Sequence, residues 1–178
     1  DRANQTSSTV ESSRNFANKL WNATKFVLIN CSTDEQLKQF QYSQNDLNLA
    51  DKWILSKLNK TKYKLKDLLS NYKLGEASKL IYEFVWNDFC DWYVEFVKIR
   101  FNNTACNDRK KSEKLLKEIL NDILIMMNPF MPHITEELWH SLHPNSDDIF
   151  LSLQKWPVYL ENFENDNIEQ SFDKLFEI

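Results

Sequence analysis

Apolar residues recur at helical spacing through most of the chain, and most densely between Gly75 and Phe101. Two adjacent stripes result: Ile81, Val85, Phe89, Trp92, Phe96 and Ile99 on one, and Trp86, Cys90, Tyr93 and Val97 on the other. Together they cover an arc of roughly 180°, which is wider than a helix with one buried face needs. We therefore predict a long central helix that is covered by more than one neighbour.

Two further helices are predicted before the central one. Ser8 and Glu11 form a capping-box pattern, so a first helix should run from Ser8 to about Asn30. Asn48 can cap a second helix, with Asp51 at its third position. The inward stripe of the first helix comprises Phe16, Leu20, Ala23 and Val27. The inward stripe of the second comprises Ala50, Ile54, Leu58, Thr61, Leu65, Leu68 and Tyr72.

The segment after the central helix predicts a turn at 102–108, a fourth helix over 109–128 and a short fifth helix over 133–142. Pro129 and Pro132 end the fourth helix, since proline cannot donate to the helical ladder. Inward positions of the fourth helix are Leu116, Leu120, Ile123, Leu124 and Met127, with Leu115, Ile119 and Met126 alongside. An irregular stretch over 146–159 precedes a final helical stripe of Ile168, Phe172, Leu175 and Phe176.

The predicted fold class is all-α: an antiparallel bundle of about five helices, with a short irregular C-terminal extension and a final helix. We expect 1–7 to be disordered, 8–143 to form the bundle, and 144–178 to form a linker and the start of a C-terminal helical segment. Because the chain lacks an initial Met and its final helix has no C-cap, we expect an excised fragment whose last helix lacks its partner.

Composition narrows the possible functions. A single Gly among 178 residues excludes Gly-rich dinucleotide and P-loop motifs and makes a sheet protein improbable. The net charge of −4 means that any nucleic-acid contact must be local. Three cysteines without metal-type spacing favour a reducing compartment, and neither a membrane-spanning run nor a signal peptide is present. These features favour a cytoplasmic protein.

Neither catalysis nor metal binding is expected from the titratable residues. Glu137 and His140 have the E-x-x-H spacing of di-iron bundles, but all the histidines lie between His133 and His143, so no second copy exists. A metallo-oxygenase bundle is therefore the weakest hypothesis. The carboxylates of Asp88, Asp91 and Glu95 share one edge of the central helix, and we expect them to pair with Lys or Arg from adjacent helices rather than to act in catalysis.

Three surfaces are candidates for binding. The row Lys57, Lys60 and Lys64 is either a solvated face or a polyanion site. A denser cluster surrounds the junction of the third and fourth helices, where the cations at the start of the fourth helix oppose its dipole. This cluster is the better phosphate candidate and comprises Lys98, Arg100, Arg109, Lys110, Lys111 and Lys114. The first helix carries an amide row, which is either a selected hydrogen-bonding surface or the consequence of an Asn-rich composition: Asn15, Asn18 and Asn22, with Lys19 and Lys25.

Five segments, in order and at compatible spacing, resemble the valyl-tRNA synthetase family. They are RNFANKLWNATKFVL from Arg14, LADKWILSKLNKT from Leu49, YEFVWNDFCDWYVEFVK from Tyr82, NPFMPHITEELWHSL from Asn128 and KWP from Lys155. The resemblance implies the all-helical anticodon-binding domain of a class I synthetase. The family's HIGH and KMSKS signatures have no counterpart here, so this chain should neither activate valine nor charge tRNA.

The resemblance also implies partners and contact residues. The implied partners are the anticodon stem-loop of tRNA(Val) and the catalytic domain of the same polypeptide, which would carry the ATP, so no cofactor is expected here. In an antiparallel bundle the end of the first helix, its loop with Phe40 and Tyr42, and the third–fourth junction share one pole. The predicted tRNA-binding residues are Asn18, Lys19, Asn22, Lys25, Phe40, Lys98, Arg100, Arg109, Lys110 and Lys111.

Two alternatives remain open at this point. The first is a helical interaction module without RNA binding, in which the amide row of the first helix docks a protein. A related possibility is that this row holds the bundle to the catalytic domain. The second alternative is the anticodon-binding domain of an isoleucyl or leucyl relative, whose P-F-M-P-x-x-T-E-E-L-W motif is similar.

Overall fold

A computed structural model of the chain describes residues 2–103, 106–144 and 150–176, with side chains except at 2–7, 9, 103 and 106–108. The described residues contain helices and no strand, which confirms the all-α prediction. The helices are α1 (Arg2–Asn30), α2 (Asp34–Leu37), α3 (Leu49–Ser70), α4 (Leu74–Glu83), α5 (Val94–Asn103), α6 (Cys106–Met127), α7 (Pro132–Leu142) and α8 (Asp166–Phe176). A π-helical segment, Phe84–Tyr93, joins α4 to α5, and short 3-10 turns occupy Gln44–Asp46, Leu151–Leu153 and Glu161–Phe163.

Helix α1 is longer than predicted. It begins at Arg2, so the predicted N-cap at Ser8 is wrong. Ser8 lies within the helix, and its carbonyl accepts a hydrogen bond from Ser12 Oγ at 2.9 Å. Neither Gly nor Pro occurs before Ser8 to end a helix, so the helical backbone continues through this polar stretch. Similarly, α6 begins at Cys106, three residues before the predicted start.

The π-helical segment changes which side of the central helix is buried. The amide of Val94 bonds to the carbonyl of Phe89, an i→i−5 pattern that places more residues in each turn than an α-helix does. Residues after Phe89 therefore fall behind the 3.6-residue period. Trp92 and Ile99, both predicted to point inward, are 37% and 61% exposed. The second stripe supplies the core instead through Tyr93 and Val97, which are fully buried.

The predicted cap of α3 is confirmed. The Asn48 side chain accepts a hydrogen bond from the Asp51 amide at 2.8 Å, and the Asp51 carboxylate accepts one from the Asn48 amide at 3.2 Å. The other end differs from the prediction, because α3 stops at Ser70 and Tyr72 is 88% exposed with φ 57°. Tyr72 therefore takes the left-handed conformation that commonly follows a helix, and it does not contribute to the core.

Helices α1, α3 and α6 pack against the central helix, and α7 packs against α1 and α6. The predicted inward stripes of the first and fourth helices are buried as expected. The core includes Leu20, Val27, Trp53, Ile54, Leu58, Ile81, Phe89, Tyr93, Leu116, Leu120 and Leu124. Chain direction alternates between neighbours, so α1 and α5 end where α3 and α6 begin. We call this end the junction pole, and the end with the α3–α4 and α6–α7 turns the far pole.

The C-terminal segment returns along α3. Asn59 of α3 accepts a hydrogen bond from the Leu160 amide at 2.8 Å, and α8 then packs its aromatic side chains on the bundle. Phe172 stacks on Trp53 with ring centres 5.0 Å apart, and Phe176 stacks on Trp92 at 3.9 Å. The expectation that the last helix lacks a partner is therefore wrong. Among the residues described here, no helix is both long and apolar enough to cross a membrane.

Candidate nucleic-acid interface

A buried carboxylate organises the junction pole. Glu113 of α6 is 1% exposed and accepts a hydrogen bond from the Ser32 amide, just beyond α1, at 2.8 Å. Arg109 Nε and Lys110 Nζ bind its two oxygens at 3.0 and 3.2 Å. Burial alone would raise the pKa of Glu113, but these hydrogen bonds outweigh burial and lower it. Glu113 is therefore an anion that holds two of the predicted RNA-binding cations in place.

Arg109 also ties the ends of two helices together. Its guanidinium donates to the Asn30 carbonyl at 3.3 Å and to the Phe101 carbonyl at 3.4 Å, which are at the ends of α1 and α5. The same group lies 5.0 Å from the centre of the Phe101 ring. A cation at two helix C-termini is favoured by both dipoles. The side chain remains 40% exposed, so one face of the guanidinium is accessible to solvent.

Lys110 and Lys111 lie at the same pole in different pairings. Lys110 Nζ donates to Ser32 Oγ in addition to Glu113, and Lys111 Nζ contacts the Asp46 carboxylate at 2.6 Å. The hydrogen bond from Lys111 is the main reason why the pKa of Asp46 is well below its usual range. Asp46 and Lys111 are each about one-third exposed, so this pair is open to solvent.

Arg100 has a different environment from the other cations. Its guanidinium donates to Asp51 at 2.7 Å, and the Tyr93 hydroxyl donates to the same carboxylate oxygen at 3.0 Å. Asp51 is 2% exposed and also caps α3. Burial, followed by the nearby Asp51 charge, raises the pKa of Tyr93, so its hydroxyl stays protonated and donates. Arg100 is thus part of a buried network that connects α5 to the start of α3.

The remaining predicted pole residues also lie at this end. Lys98 contacts Glu95 at 2.6 Å and lies 5.5 Å from the centre of the Phe26 ring. Phe40 is half-buried, and its carbonyl accepts a hydrogen bond from Lys114 at 2.8 Å. Tyr42 donates its hydroxyl to Glu118. The loop that carries these two rings is therefore fixed against α6.

The side-chain ammonium groups of two exposed lysines near this pole have no hydrogen-bond or ion-pair partner among the described residues. Lys25 projects from the last turns of α1, and Lys38 ends α2. Lys38 also lines a cleft of about 420 Å³ between α1, α2 and the end of α7, together with Lys117 and His143. The sequence analysis does not predict Lys38 or Lys117, although Lys38 lies in the loop that carries Phe40 and Lys117 lies in the predicted fourth helix.

The amides of the α1 row lie along the side of the bundle, and only Lys25, at the end of the row, lies near the junction pole. Asn18 and Asn22 are exposed along the middle of α1. Lys19 turns towards the central helix, where it contacts Asp91 at 2.5 Å and lies 3.7 Å above the Trp86 ring. The structure thus separates the predicted residues into a group at the junction pole and a row on the side of the bundle.

The other titratable groups pair as expected for a structural role. Lys57 contacts Asp88 at 3.8 Å, and Lys60 binds Asp166 and Glu169 of α8, so two members of the predicted basic row are neutralised. The acidic row of the central helix pairs with lysines, two of them from adjacent helices, as predicted.

The histidines and cysteines also have structural contacts. His143 bonds to Asp34 at 2.9 Å and to Asn121 at 3.1 Å, and His140 contacts Glu136 at 3.3 Å. Burial raises the pKa of Cys31 and of Cys90 to about 12, so neither thiol ionises near neutral pH. Within the described ranges, no group of three His, Cys, Asp or Glu side chains has the geometry to hold a metal ion.

The junction pole combines cations with aromatic side chains, and this combination suits a flexible polyanion that has exposed rings of its own. Cations from α1, α2, α5 and α6 converge there, and Phe40 and Tyr42 lie beside them. Surface ion pairs contribute only about 0–1 kcal/mol each, so a partly exposed lysine such as Lys111 can exchange a carboxylate for a phosphate. The buried carboxylates Asp51 and Glu113 were missed as organisers of the site, although Glu113 follows Arg109 by four residues, a spacing that favours helix pairs.

Comparison with known proteins identifies a matching family. Residues 51–178 match the family model described as the anticodon-binding domain of tRNA ligase. The chain is 60% identical over 178 residues to a valine–tRNA ligase of Prochlorococcus marinus subsp. pastoris, covering all of the chain and 19% of that relative. It is 42% identical over 182 residues to the valine–tRNA ligase of Synechocystis sp., covering 99% of the chain and 20% of that relative. It is 40% identical over 177 residues to the valine–tRNA ligase of Thermosynechococcus vestitus, covering 99% of the chain and 19% of that relative. The chain thus spans about a fifth of the length of these curated relatives.

Proposed function

The chain belongs to the family of anticodon-binding domains of tRNA ligases, and we propose that it recognises the anticodon of tRNA(Val) as part of a valine–tRNA ligase. The observation that carries this proposal is the 60% identity to a valine–tRNA ligase over the whole chain. The isoleucyl or leucyl alternative and the protein-docking alternative have no comparable support.

The proposal extends to the whole protein. It would join valine to its tRNA with ATP, in a catalytic domain that forms part of the same polypeptide. The present chain would supply tRNA binding and no catalytic residue, and it would need no cofactor of its own. We place this activity in the cytoplasm, where translation consumes the charged tRNA.

The junction pole is the part of this chain best suited to the anticodon. Sequence-specific RNA recognition targets unstacked bases in loops, through aromatic stacking, hydrogen bonds to base edges and cations on phosphates. Phe40 and Tyr42 supply rings, Lys25 and Lys38 supply exposed cations, and Lys111 supplies one in an exchangeable pair. Arg100 has a lesser role in this proposal, because its guanidinium is committed to buried Asp51.

Titration of the 178-residue chain with a tRNA(Val) anticodon stem-loop tests this proposal. We expect binding whose logarithmic affinity falls with the logarithm of salt concentration by about 0.7 per phosphate contacted. A stem-loop with the same stem and an unrelated anticodon is the control, and it should bind more weakly by about tenfold or more, since each well-formed base contact contributes about 1–3 kcal/mol.

Two results would contradict the proposal. Equal affinity for both stem-loops would leave a general RNA-binding module without anticodon recognition. No binding to either stem-loop at low salt would remove RNA recognition from this chain. As a further check, Lys38→Ala should weaken binding, whereas Lys66→Ala, at an exposed lysine near the end of α3 at the far pole, should leave it unchanged.

A further inference from the structure

The outward face of α1 has an unusual charge composition. The chain contains 26 acidic residues, yet none occurs between Ser12 and Asn30. Arg14 and Lys25 lie on the exposed side of the same stretch, so this face is positive in a chain of net charge −4. Its partner should therefore be negatively charged.

Four exposed residues form a row on this face, at helical spacings of four, four and three: Arg14, Asn18, Asn22 and Lys25. None of their side chains has a hydrogen-bond or ion-pair partner among the described residues. The contrast with Lys19 is informative, because that side chain turns sideways and pairs with Asp91. The row is thus the part of α1 that the bundle itself does not use.

The chemistry of this row favours RNA over a protein. Each Asn amide both donates and accepts hydrogen bonds, as does the ribose 2′-hydroxyl group. Arg14 and Lys25, at the two ends of the row, can contact phosphates, which carry no information about sequence. A-form RNA exposes its 2′-hydroxyl groups in a wide, shallow minor groove, which a flat helix face can approach without inserting a loop.

The row is also continuous with the junction pole. Asn18 and Lys25 are seven residues apart, about 10 Å along the helix axis, and Lys25 lies about 8 Å before the end of α1 at Asn30. A stem that carries its loop to the pole would therefore run alongside this face.

We propose that the outward row of α1 binds an A-form RNA stem next to the recognised loop, with Asn18 and Asn22 contacting ribose 2′-hydroxyl groups. This inference rests on the proposed function, since it assumes that the loop of the same RNA binds at the junction pole. Asn18 and Asn22 then act as contacts that distinguish RNA from DNA, while the pole distinguishes one loop from another.

A double substitution with a modified RNA tests the proposal. The proteins are the 178-residue chain, its Asn18→Ala/Asn22→Ala variant, and Asn167→Ala/Gln170→Ala as a matched pair of exposed amides on α8. The RNAs are a tRNA(Val) anticodon stem-loop with an ordinary ribose stem, and the same molecule with 2′-fluoro groups in the stem. Fluorine keeps the A-form and removes the hydroxyl donor.

We expect the α1 variant to bind the ordinary stem-loop about tenfold more weakly, since two neutral hydrogen bonds together contribute a free energy of that order. The unmodified chain should bind the 2′-fluoro stem-loop more weakly than the ordinary one by a similar factor. The α1 variant should bind the two stem-loops with nearly equal affinity. The α8 variant should match the unmodified chain. Exposed Asn→Ala changes should leave folding intact, because Ala is the better helix former.

The failures of the two proposals are distinguishable. The proposed stem contact is wrong if the α1 variant binds as tightly as the unmodified chain, or if the 2′-fluoro groups do not change the affinity. If anticodon discrimination persists in either case, the proposed loop site at the junction pole is unaffected. A protein partner for this face would give the same result. If the chain binds no RNA, both proposals fall together.

Discussion

Arg100 illustrates how a buried partner changes the role of a surface-type residue. Its guanidinium donates to the carboxylate of Asp51, which is 2% exposed, and Tyr93 donates to the same oxygen. Arg100→Ala would leave this carboxylate buried with no cation. We expect a loss of about 3 kcal/mol in the free energy of unfolding, since removing one partner of a buried charged pair costs several kcal/mol.

Urea denaturation of Arg100→Ala and Lys111→Ala provides the measurement and its control. Lys111 pairs with exposed Asp46, so its loss should change stability by only about 0.5 kcal/mol. Similar stabilities for the two variants would show that Asp51 does not depend on Arg100, and Arg100 would again be a leading candidate for a phosphate contact.

Asp88 gives a pH dependence with a definite sign. Burial raises its pKa to about 6, Lys57 at 3.8 Å offsets part of this effect, and Asp173 and Glu169 add to it. The unfolded carboxyl ionises near its ordinary value of 3.8. The stability that protonated Asp88 contributes is therefore fully present below about pH 4 and is lost as the pH rises through about 6.

We expect Asp88→Asn to gain stability relative to the parent chain as the pH rises. Because Asn does not titrate, the difference in unfolding free energy should grow by about 2 kcal/mol between pH 4.5 and 7.5. Urea denaturation at the two pH values measures this change. A constant difference would mean that Asp88 is ionised at both pH values and that burial does not control its charge.

Among the helices, α8 offers the clearest test of packing. Phe172 stacks on Trp53, which is fully buried. Truncating a fully buried Phe costs about 3–5 kcal/mol, so half-buried Phe172→Ala should cost about 2 kcal/mol. We expect the loss to be local, with faster amide hydrogen exchange over Asp166–Phe176 and a red-shifted tryptophan emission.

Leu175→Ala is the matched control for α8, because Leu175 lies on the same helix and is 56% exposed. This variant should retain the hydrogen-exchange protection of the parent chain. Unchanged protection in Phe172→Ala would show that the ion pairs of Lys60 with Asp166 and Glu169 hold α8 without its aromatic contacts.

The central helix shows how far periodicity can predict an element. The 3.6-residue pattern correctly identifies one long helix and the inward positions up to Phe89. It fails at Trp92 and Ile99, because the π-helical segment has more residues in each turn and so rotates the side chains that follow about the helix axis. Periodicity assumes a constant winding, and a change of winding is decided by packing against α1 and α3. The sequence itself contains no separate signal for it.

At the level of the whole molecule, the sequence predicts the topology of the bundle but not which charged side chains pair with each other. An antiparallel bundle brings the ends of α1 and α5 to the starts of α3 and α6, which correctly grouped the cations near Arg109. The contact between Glu113 and the Ser32 amide joins residues 81 positions apart, so no local pattern reveals it. Which cations are locked in buried pairs and which remain exchangeable follows from such distant contacts.

The exchangeable pair at the junction pole makes a prediction about the charge of the whole surface. Asp46 neutralises Lys111 at 2.6 Å, and both side chains are partly exposed. Asp46→Asn would free Lys111 and remove a negative charge from the proposed path of the RNA backbone. We expect the anticodon stem-loop to bind about two- to fivefold more tightly, since an exposed ion pair contributes at most about 1 kcal/mol, and its affinity should depend more steeply on salt.

Glu76→Gln is the charge-matched control at the far pole, where Glu76 lies 4.0 Å from Lys73 on an exposed surface. Both variants change the net charge by the same amount, so any difference between them reflects position. If Glu76→Gln tightens binding equally, attraction depends on total charge and the RNA has no preferred pole. If Asp46→Asn weakens binding, Asp46 itself contacts the RNA or positions the loop. A gain confined to Asp46→Asn would place the phosphate backbone within reach of Lys111, because the effect of an exposed charge fades beyond about 10 Å at ordinary salt.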